Sequence, residues 1–290
     1  MATLYLGVDA GGSNCRARLT DATGQILGVG QSGPANARIG LDALHQVLVD
    51  TCAQATRAAN LTDEEISKIR AGMGIAGISR EGIKEQLHIR GFPFANVNLT
   101  NDGVIANLGA NAGADGAILI LGTGSMALIK LGENSFSIGG YGFPISDEGS
   151  GAALGLSAIR HALRALDGRT RPTPLSREVT KQFDDVTARV VAWMDGATPA
   201  DYAKFAPLVM DYAENGDEIA VSIVRDAALH VERFIETIFA KGAPRCVLIG
   251  GLSQRMKPWL RARIAAQIDE SLGDSLEGAL LLAGKPRTRT

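Results

Sequence analysis

Three stretches of this 290-residue chain run from an apolar segment into a glycine turn: Asp9-Ala10-Gly11-Gly12-Ser13-Asn14, Gly122-Thr123-Gly124-Ser125 and Gly250-Gly251-Leu252-Ser253. Glycine has no Cβ, so backbone N–H groups in such turns can close around phosphate oxygens. None of the three fits GxxxxGK[ST], and none fits GxGxxG between a strand and a helix. What remains is a phosphate site built from β-hairpin turns. Asp9 and Arg16 flank the first turn. Asp9 could hold a hydrated Mg2+ against phosphate, or it could bond the N–H groups of its own turn; the spacing admits both.

Two more acidic positions stand before helical patterns. Asp102 follows the strand-like stretch 97–100 and precedes Gly103 and a helical pattern over 104–110. A carboxylate there can accept the proton of a hydroxyl undergoing phosphoryl transfer, or it can cap the helix. Asp147 and Glu148 lie in GGYGFPISDEGSG, residues 139–151. Carboxylates accept from sugar hydroxyls, and a ring such as Tyr141 can lie against a pyranose face. The alternative for the acidic pair is to favour the positive end of the following helix, worth about 0.3–1 kcal/mol. His45, His88, His161 and His230 lie in helical patterns without metal spacing and receive no role.

Residues 3–8, 15–20 and 25–30 read as three short strands joined by turns, a β-meander. Laying Gly12-Ser13 on Gly124-Ser125 brings Leu19 onto Leu131 and Ile26 onto Ile138, so the meander is expected to recur. A helix is expected over 41–59, a helix start at Thr62 to Glu65, and a strand over 71–76. Beyond residue 148 the chain turns mostly helical, clearest over 217–239, where Ile219, Ile223, Ala227, Val231, Phe234 and Ile238 form one face. A last strand over 245–249 precedes helical patterns at 256–271 and 277–284.

A hydrophobic content of 46% lets the chain bury a real core, and a net charge of −2 without a basic run makes nucleic acid and anionic membranes poor partners. The three cysteines, Cys15, Cys52 and Cys246, are scattered and form no CxxC pair. With no charged, apolar leader at residues 1–10 and no apolar run of membrane-spanning length, a cytoplasmic location is expected.

In "GVDAGGSNCRARL", "SGPANARIG", "GIAGI", "TNDGVIANLGA", "GTGSMALI", "GGYGFPISDEGSGAALGL", "VLIGGLS" and "LEGALLLAGKP", in that order, the sequence resembles the sugar kinases of the BadF/BadG/BcrA/BcrD ATPase family, most of all the bacterial glucosamine kinases. The resemblance implies a two-lobed α/β fold, actin-like and ribonuclease H-like, with nucleotide and sugar in the interlobe cleft. It implies a first lobe of 1–107, with 278–290 packing back on it, and a second of 108–277. Asp9, Gly11, Gly12, Ser13, Asn14 and Arg16 would form the first phosphate loop, Gly122, Thr123, Gly124 and Ser125 the second, and Gly250, Gly251 and Ser253 the adenosine end. Asp102 would be the catalytic base, and Asp9 would hold Mg2+ through water. Asn36, Ala76, Gly77, Asp102, Gly140, Tyr141, Asp147 and Glu148 would meet the sugar. The implied activity is ATP-dependent phosphorylation of glucosamine at its 6-hydroxyl, by a homodimer. N-acetylglucosamine kinases of this kind often carry Asn after Gly-Thr-Gly-Ser; Met126 stands here, and Pro144-Ile145-Ser146 precedes the acidic pair as in the glucosamine kinases, which favours the free amino sugar.

N-acetylglucosamine kinase is the alternative, followed by two others. A dehydratase-activating ATPase of the same family would need an iron–sulfur cluster on Cys15, Cys52 and Cys246. A non-catalytic sugar sensor would be expected to carry a helix-turn-helix extension, for which no room is expected ahead of the first strand.

Overall fold

Asp21 makes the second turn of the meander: its Oδ1 accepts from the backbone N–H groups of Thr23 at 2.9 Å and Gln25 at 3.0 Å. That turn and Gly11–Asn14 fold β1 (Tyr5–Ala10), β2 (Cys15–Thr20) and β3 (Ile26–Ser32) into antiparallel neighbours. In the computed structural model, which describes residues 3–286, the sheet continues on the other side of β1 with β4 (Arg70–Ile75) and β5 (Asn96–Thr100), both parallel to it. Its strand order is β3-β2-β1-β4-β5.

Helices α1 (Leu41–Ala58), α2 (Asp63–Ile66), α3 (Ile83–Arg90) and α4 (Asp102–Ala110) belong to the same unit. The start expected at Thr62 is a capping box: Thr62 Oγ1 and the Glu65 carboxylate exchange bonds with each other's backbone N–H. Leu44, Leu48, Cys52 and Ala55 of α1 are buried, with Leu6, Val8, Leu19 and Met73, in one core.

The second unit repeats the opening. Strands β6 (Gly116–Leu121), β7 (Ser125–Leu131) and β8 (Asn134–Gly139) form a second meander, joined by β9 (Cys246–Ile249) parallel to β6. The order β8-β7-β6-β9 has the connectivity of β3-β2-β1-β4. The pairing places Leu121 opposite Ser125 where Ala10 faces Cys15, so the second turn is one residue shorter. Leu19 therefore corresponds to Ile129 rather than to Leu131. A two-residue shift keeps the side chain on the same face, and both Leu19 and Ile129 are fully buried.

The rest of this unit is helical: α5 (Gly151–Leu166), α6 (Pro174–Lys181), α7 (Thr187–Met194), α8 (Pro199–Ala203), α9 (Ala206–Glu214), α10 (Glu218–Ala240), α11 (Ser253–Met256) and α12 (Ala262–Ala265). Helix α10 starts where Asp217 accepts from the N–H groups of Ile219 and Ala220 and buries Ile223, Val231 and Ile238 against β6 and β7 residues such as Leu119 and Ile129. The single helix expected over 256–271 is broken. Pro258 offers no N–H, Leu260 is extended, and the buried Glu232 carboxylate of α10 accepts from both the backbone N–H and the guanidinium of Arg261.

The first unit runs through Asp115 and resumes at Glu270, while the second spans Gly116–Asp269. Residues 108–115 and 270–277 thus belong with the first unit, not with a second lobe of 108–277. Helix α4 continues unbroken to Ala110, whose carbonyl accepts from Leu272 N–H at 3.0 Å. Helix α13 (Ser275–Leu282) then docks on α4 so closely that a Cβ on Gly278 would lie 1.8 Å from the Ile105 carbonyl oxygen. Of the segment 278–290, residues 287–290 lie outside those described.

Candidate active site

In the first sheet β1, β3, β4 and β5 run the same way, so their carboxyl ends share one edge, and the candidate residues of this unit are gathered there. Asp9 is near the end of β1, and the turn Gly11–Asn14 follows it, closed by Gly11 N–H donating to the Asn14 carbonyl at 2.9 Å. Gly12, Ser13 and Asn14 are exposed. Past β3, Ala35 N–H donates to the Gly11 carbonyl at 3.0 Å. Past β4, Ala76 N–H donates to the Ala10 carbonyl at 2.8 Å and the Ala76 carbonyl accepts from Ala37 at 3.0 Å. This pins Asn36, Ala76 and Gly77 beside the first turn. Past β5 come Asn101 and Asp102.

The structure bears on the turn and cap alternatives for these carboxylates. Asp9 does not bond its own turn; its Oδ2 accepts from Arg16 Nη2 at 2.5 Å, across the β1–β2 pair. Asn101 holds the cap position of the helix, its side chain accepting from Gly103 N–H at 2.8 Å, and the Asp102 carboxylate shares that N–H at 3.1 Å. Asp102 is the first residue of α4, half-buried, and burial lifts its carboxyl above the ordinary aspartate range. The Gly103 N–H opposes that shift, and the negative charge of Asp9 adds to it. Asn36 spends its side-chain oxygen on Arg38 N–H at 3.0 Å, which leaves its NH2 as a donor.

In the second sheet β6, β8 and β9 likewise end on one edge. The turn Gly122–Ser125 follows β6, with Gly122 N–H donating to the Gly124 carbonyl at 3.0 Å. The turn after β9 rests on it: Leu252 N–H donates to the Leu121 carbonyl at 3.0 Å, and Ser253 Oγ donates to the Gly250 carbonyl at 2.7 Å. Gly140, with φ of 73°, lies against the Met126 side chain. Asp147 and Glu148 diverge. The Asp147 carboxylate is buried against Gly124 and Ser125, whereas Glu148 faces a groove of about 390 Å³ with His230, Arg233 and the exposed Tyr141. Neither caps α5; Ser150 does, accepting from Ala153 N–H at 3.2 Å. The caps Asn101 and Ser150 escaped the sequence reading although both are ordinary cap types; each stands next to an acidic segment that could cap the same helix equally well by type.

Each unit offers, by itself, donors of a kind that phosphate takes. Buried Arg16 Nε has no acceptor, and the turns that end β1 and β6 are glycine-rich. A divalent cation suits the carboxylate of Asp9 in chemistry. No helix among the described residues is long and apolar enough to cross a membrane.

The family model of the BadF/BadG/BcrA/BcrD ATPases matches residues 6–283. Glucosamine kinase GspK of Vibrio cholerae is 36% identical over 282 residues, which are 97% of this chain and 96% of the Vibrio protein. The crystal structure of a candidate N-acetylglucosamine kinase from Chromobacterium violaceum superposes with a TM-score of 0.86 at 31% identity, covering 97% of this chain and 99% of that one. A ROK-family glucokinase from Streptomyces griseus, crystallised with glucose and AMPPNP, shares the fold at a TM-score of 0.55 and 20% identity, with 98% and 100% coverage. The α/β architecture, with its two related sheets, is that of the actin-like ATPase fold of sugar kinases.

Proposed function

The chain belongs to the BadF/BadG/BcrA/BcrD ATPase family and is a sugar kinase, and from that premise we propose that it transfers the γ-phosphoryl group of ATP to the 6-hydroxyl of glucosamine. The observation that carries the reading is Asp102. Asn101 holds the cap position beside it, burial raises the pKa of its carboxyl, and it shares a sheet edge with the turn that follows Asp9.

In this reading Asp102 accepts the hydroxyl proton as the new O–P bond forms and the bond from the γ-phosphorus to the bridging oxygen breaks, releasing ADP, so the attacking oxygen builds up no positive charge. Asn36, Ala76, Gly77, Gly140, Tyr141, Asp147 and Glu148 are the proposed sugar contacts. The carboxylates among them favour an ammonium substituent. Gly11–Asn14 and Gly122–Ser125 are the phosphate turns, Arg16 supplies a positive charge, and Gly250, Gly251 and Ser253 form the adenosine seat. Magnesium, when bound to ATP, neutralises phosphate charge; Asp9 is the residue that would hold it through water. A cytoplasmic homodimer is the accompanying proposal for location and assembly.

The test is ADP release from Mg·ATP with glucosamine, N-acetylglucosamine, N-acetylmannosamine, glucose or no sugar. Preference for glucosamine is expected. Preference for an N-acetylated sugar would keep the mechanism and replace the substrate, and ADP release that ignores sugar would overturn the kinase reading. The dehydratase-activator alternative is disfavoured by the cysteines: all three are buried and free, and burial pushes the thiols of Cys15 and Cys246 up to about 11 and about 12, far from the thiolate a cluster requires.

A further inference from the structure

We propose that Asp147 is a positioning residue for the nucleotide, holding the turn Gly122–Ser125 in the shape that receives phosphate. The inference rests on the kinase reading, in which that turn is a phosphate loop.

The peptide between Gly124 and Ser125 is fixed at both ends. Its carbonyl accepts from Gly122 N–H at 3.0 Å, and its N–H donates to Asp147 Oδ1 at 3.4 Å. The carboxylate lies flat against the turn: a Cβ on Gly124 would fall 2.9–3.2 Å from its three terminal atoms. The same segment grips the turn elsewhere. Ser125 Oγ donates to the Glu148 carbonyl at 2.7 Å, and the first N–H groups of α5, from Gly151 and Ala152, donate to the carbonyls of Gly122 at 2.8 Å and Thr123 at 3.1 Å.

Every carbonyl from Gly122 to Gly124 is therefore engaged within the protein. This matters because a flip of the 124–125 peptide would point its carbonyl at the Asp147 carboxylate, lose the bond from Gly122 N–H and change the shape of the turn. The carboxylate of Asp147 is the side-chain contact that opposes such a flip at the 124–125 peptide.

The backbone of Asp147 strengthens the argument. Its φ of +69° lies in the left-handed region, where Gly139, Gly140, Gly142 and Gly149 of the same segment also lie. Glycine would meet that conformation without strain. An aspartate there, buried to 9% exposure, gives the position something glycine lacks, which is the acceptor for Ser125.

The test is calorimetric titration of the full chain with Mg·ADP, without sugar, for wild type, Asp147→Gly and Asp147→Asn, with a thermal melt of each. Asp147→Gly removes the carboxylate and eases the backbone, and its ADP Kd is expected to rise about tenfold. Asp147→Asn keeps an acceptor oxygen, and its Kd is expected to return to within a few-fold of wild type. Gly124→Ala approaches from the turn, forcing a methyl group on the carboxylate. It should weaken ADP similarly, and the double variant Gly124→Ala with Asp147→Gly should lose no more than either alone. Unchanged ADP affinity in Asp147→Gly with a raised glucosamine KM would make Asp147 a sugar contact only and overturn the inference, as would losses that add in the double variant. Wild type that binds no ADP would instead refute the kinase reading itself.

Discussion

Asp102→Asn removes the proposed base while keeping the size of the side chain. The start of α4 does not depend on it, because Asn101 supplies the cap. Losing a negative charge from the first turn forfeits about 0.3–1 kcal/mol. Ending the burial of a charge and its repulsion by Asp9 acts in the opposite direction. The two nearly cancel, so the variant should unfold in urea within about 1 kcal/mol of wild type. Turnover is another matter. A positioned general base contributes about 10²- to 10⁴-fold, or roughly 2.7–5.4 kcal/mol on the barrier at about 1.36 kcal/mol per decade. ADP release at saturating glucosamine and Mg·ATP should fall by that factor while ADP binds as before.

The pH profile gives a second reading of the same residue. As the proposed base Asp102 must be ionised to accept a proton, so with its pKa raised, kcat/KM should fall on the acid side at a pH above the ordinary aspartate value of 3.8. Asp9→Asn removes one cause of the rise, and the acid limb of whatever activity remains should move to lower pH. Turnover of Asp102→Asn within a few-fold of wild type, or an acid limb unmoved by Asp9→Asn, would refute the reasoning.

Gly278→Ala should destabilise the first unit by about 1–3 kcal/mol, because its Cβ would lie 1.8 Å from the Ile105 carbonyl oxygen and 2.6 Å from Gly109 N, and α13 would have to lift from α4; a melting temperature equal to wild type would contradict that packing. Glu232→Ala should cost about 1–3 kcal/mol of stability, since this buried carboxylate accepts from Arg261 N–H at 2.6 Å and from its Nε at 2.5 Å, with urea denaturation as the measurement. Native protein at pH 8 should resist a thiol reagent that labels all three cysteines after unfolding, because burial raises the pKa of each; rapid native labelling would reopen the cluster-bearing alternative.

Much of the candidate site is legible in the sequence, because glycine turns and acidic residues announce themselves locally. Asp9 stands near the end of an apolar strand, and Gly11–Asn14 and Gly122–Ser125 follow strands whose apolar runs are also visible. What each carboxylate does is a different matter. Asp102 and Asp147–Glu148 stand where caps belong, and spacing alone fits a cap as well as a catalytic or binding role. Only the placement of Asn101 and Ser150 removes the cap readings.

The sequence by itself determined the elements whose signals are local: the opening meander and its recurrence, α1, the Thr62 capping box and α10 with its apolar face. Backbone propensity, turn chemistry and periodicity act over a few residues, and those few residues are enough. The tertiary structure decided what depends on partners distant in the chain. Parallel pairing of β4 and β5 with β1 brings Ala76, Gly77 and Asp102 to the edge that holds Asp9. Glu232 breaks the helical pattern at Arg261 from 29 residues away, and α13 joins the first unit because Gly278 and Gly109 let two helices meet at backbone distance. Asp147 turns toward a loop 22 residues earlier in the chain. No local pattern encodes such contacts, because the free energy that selects them is released only when the distant groups are packed together.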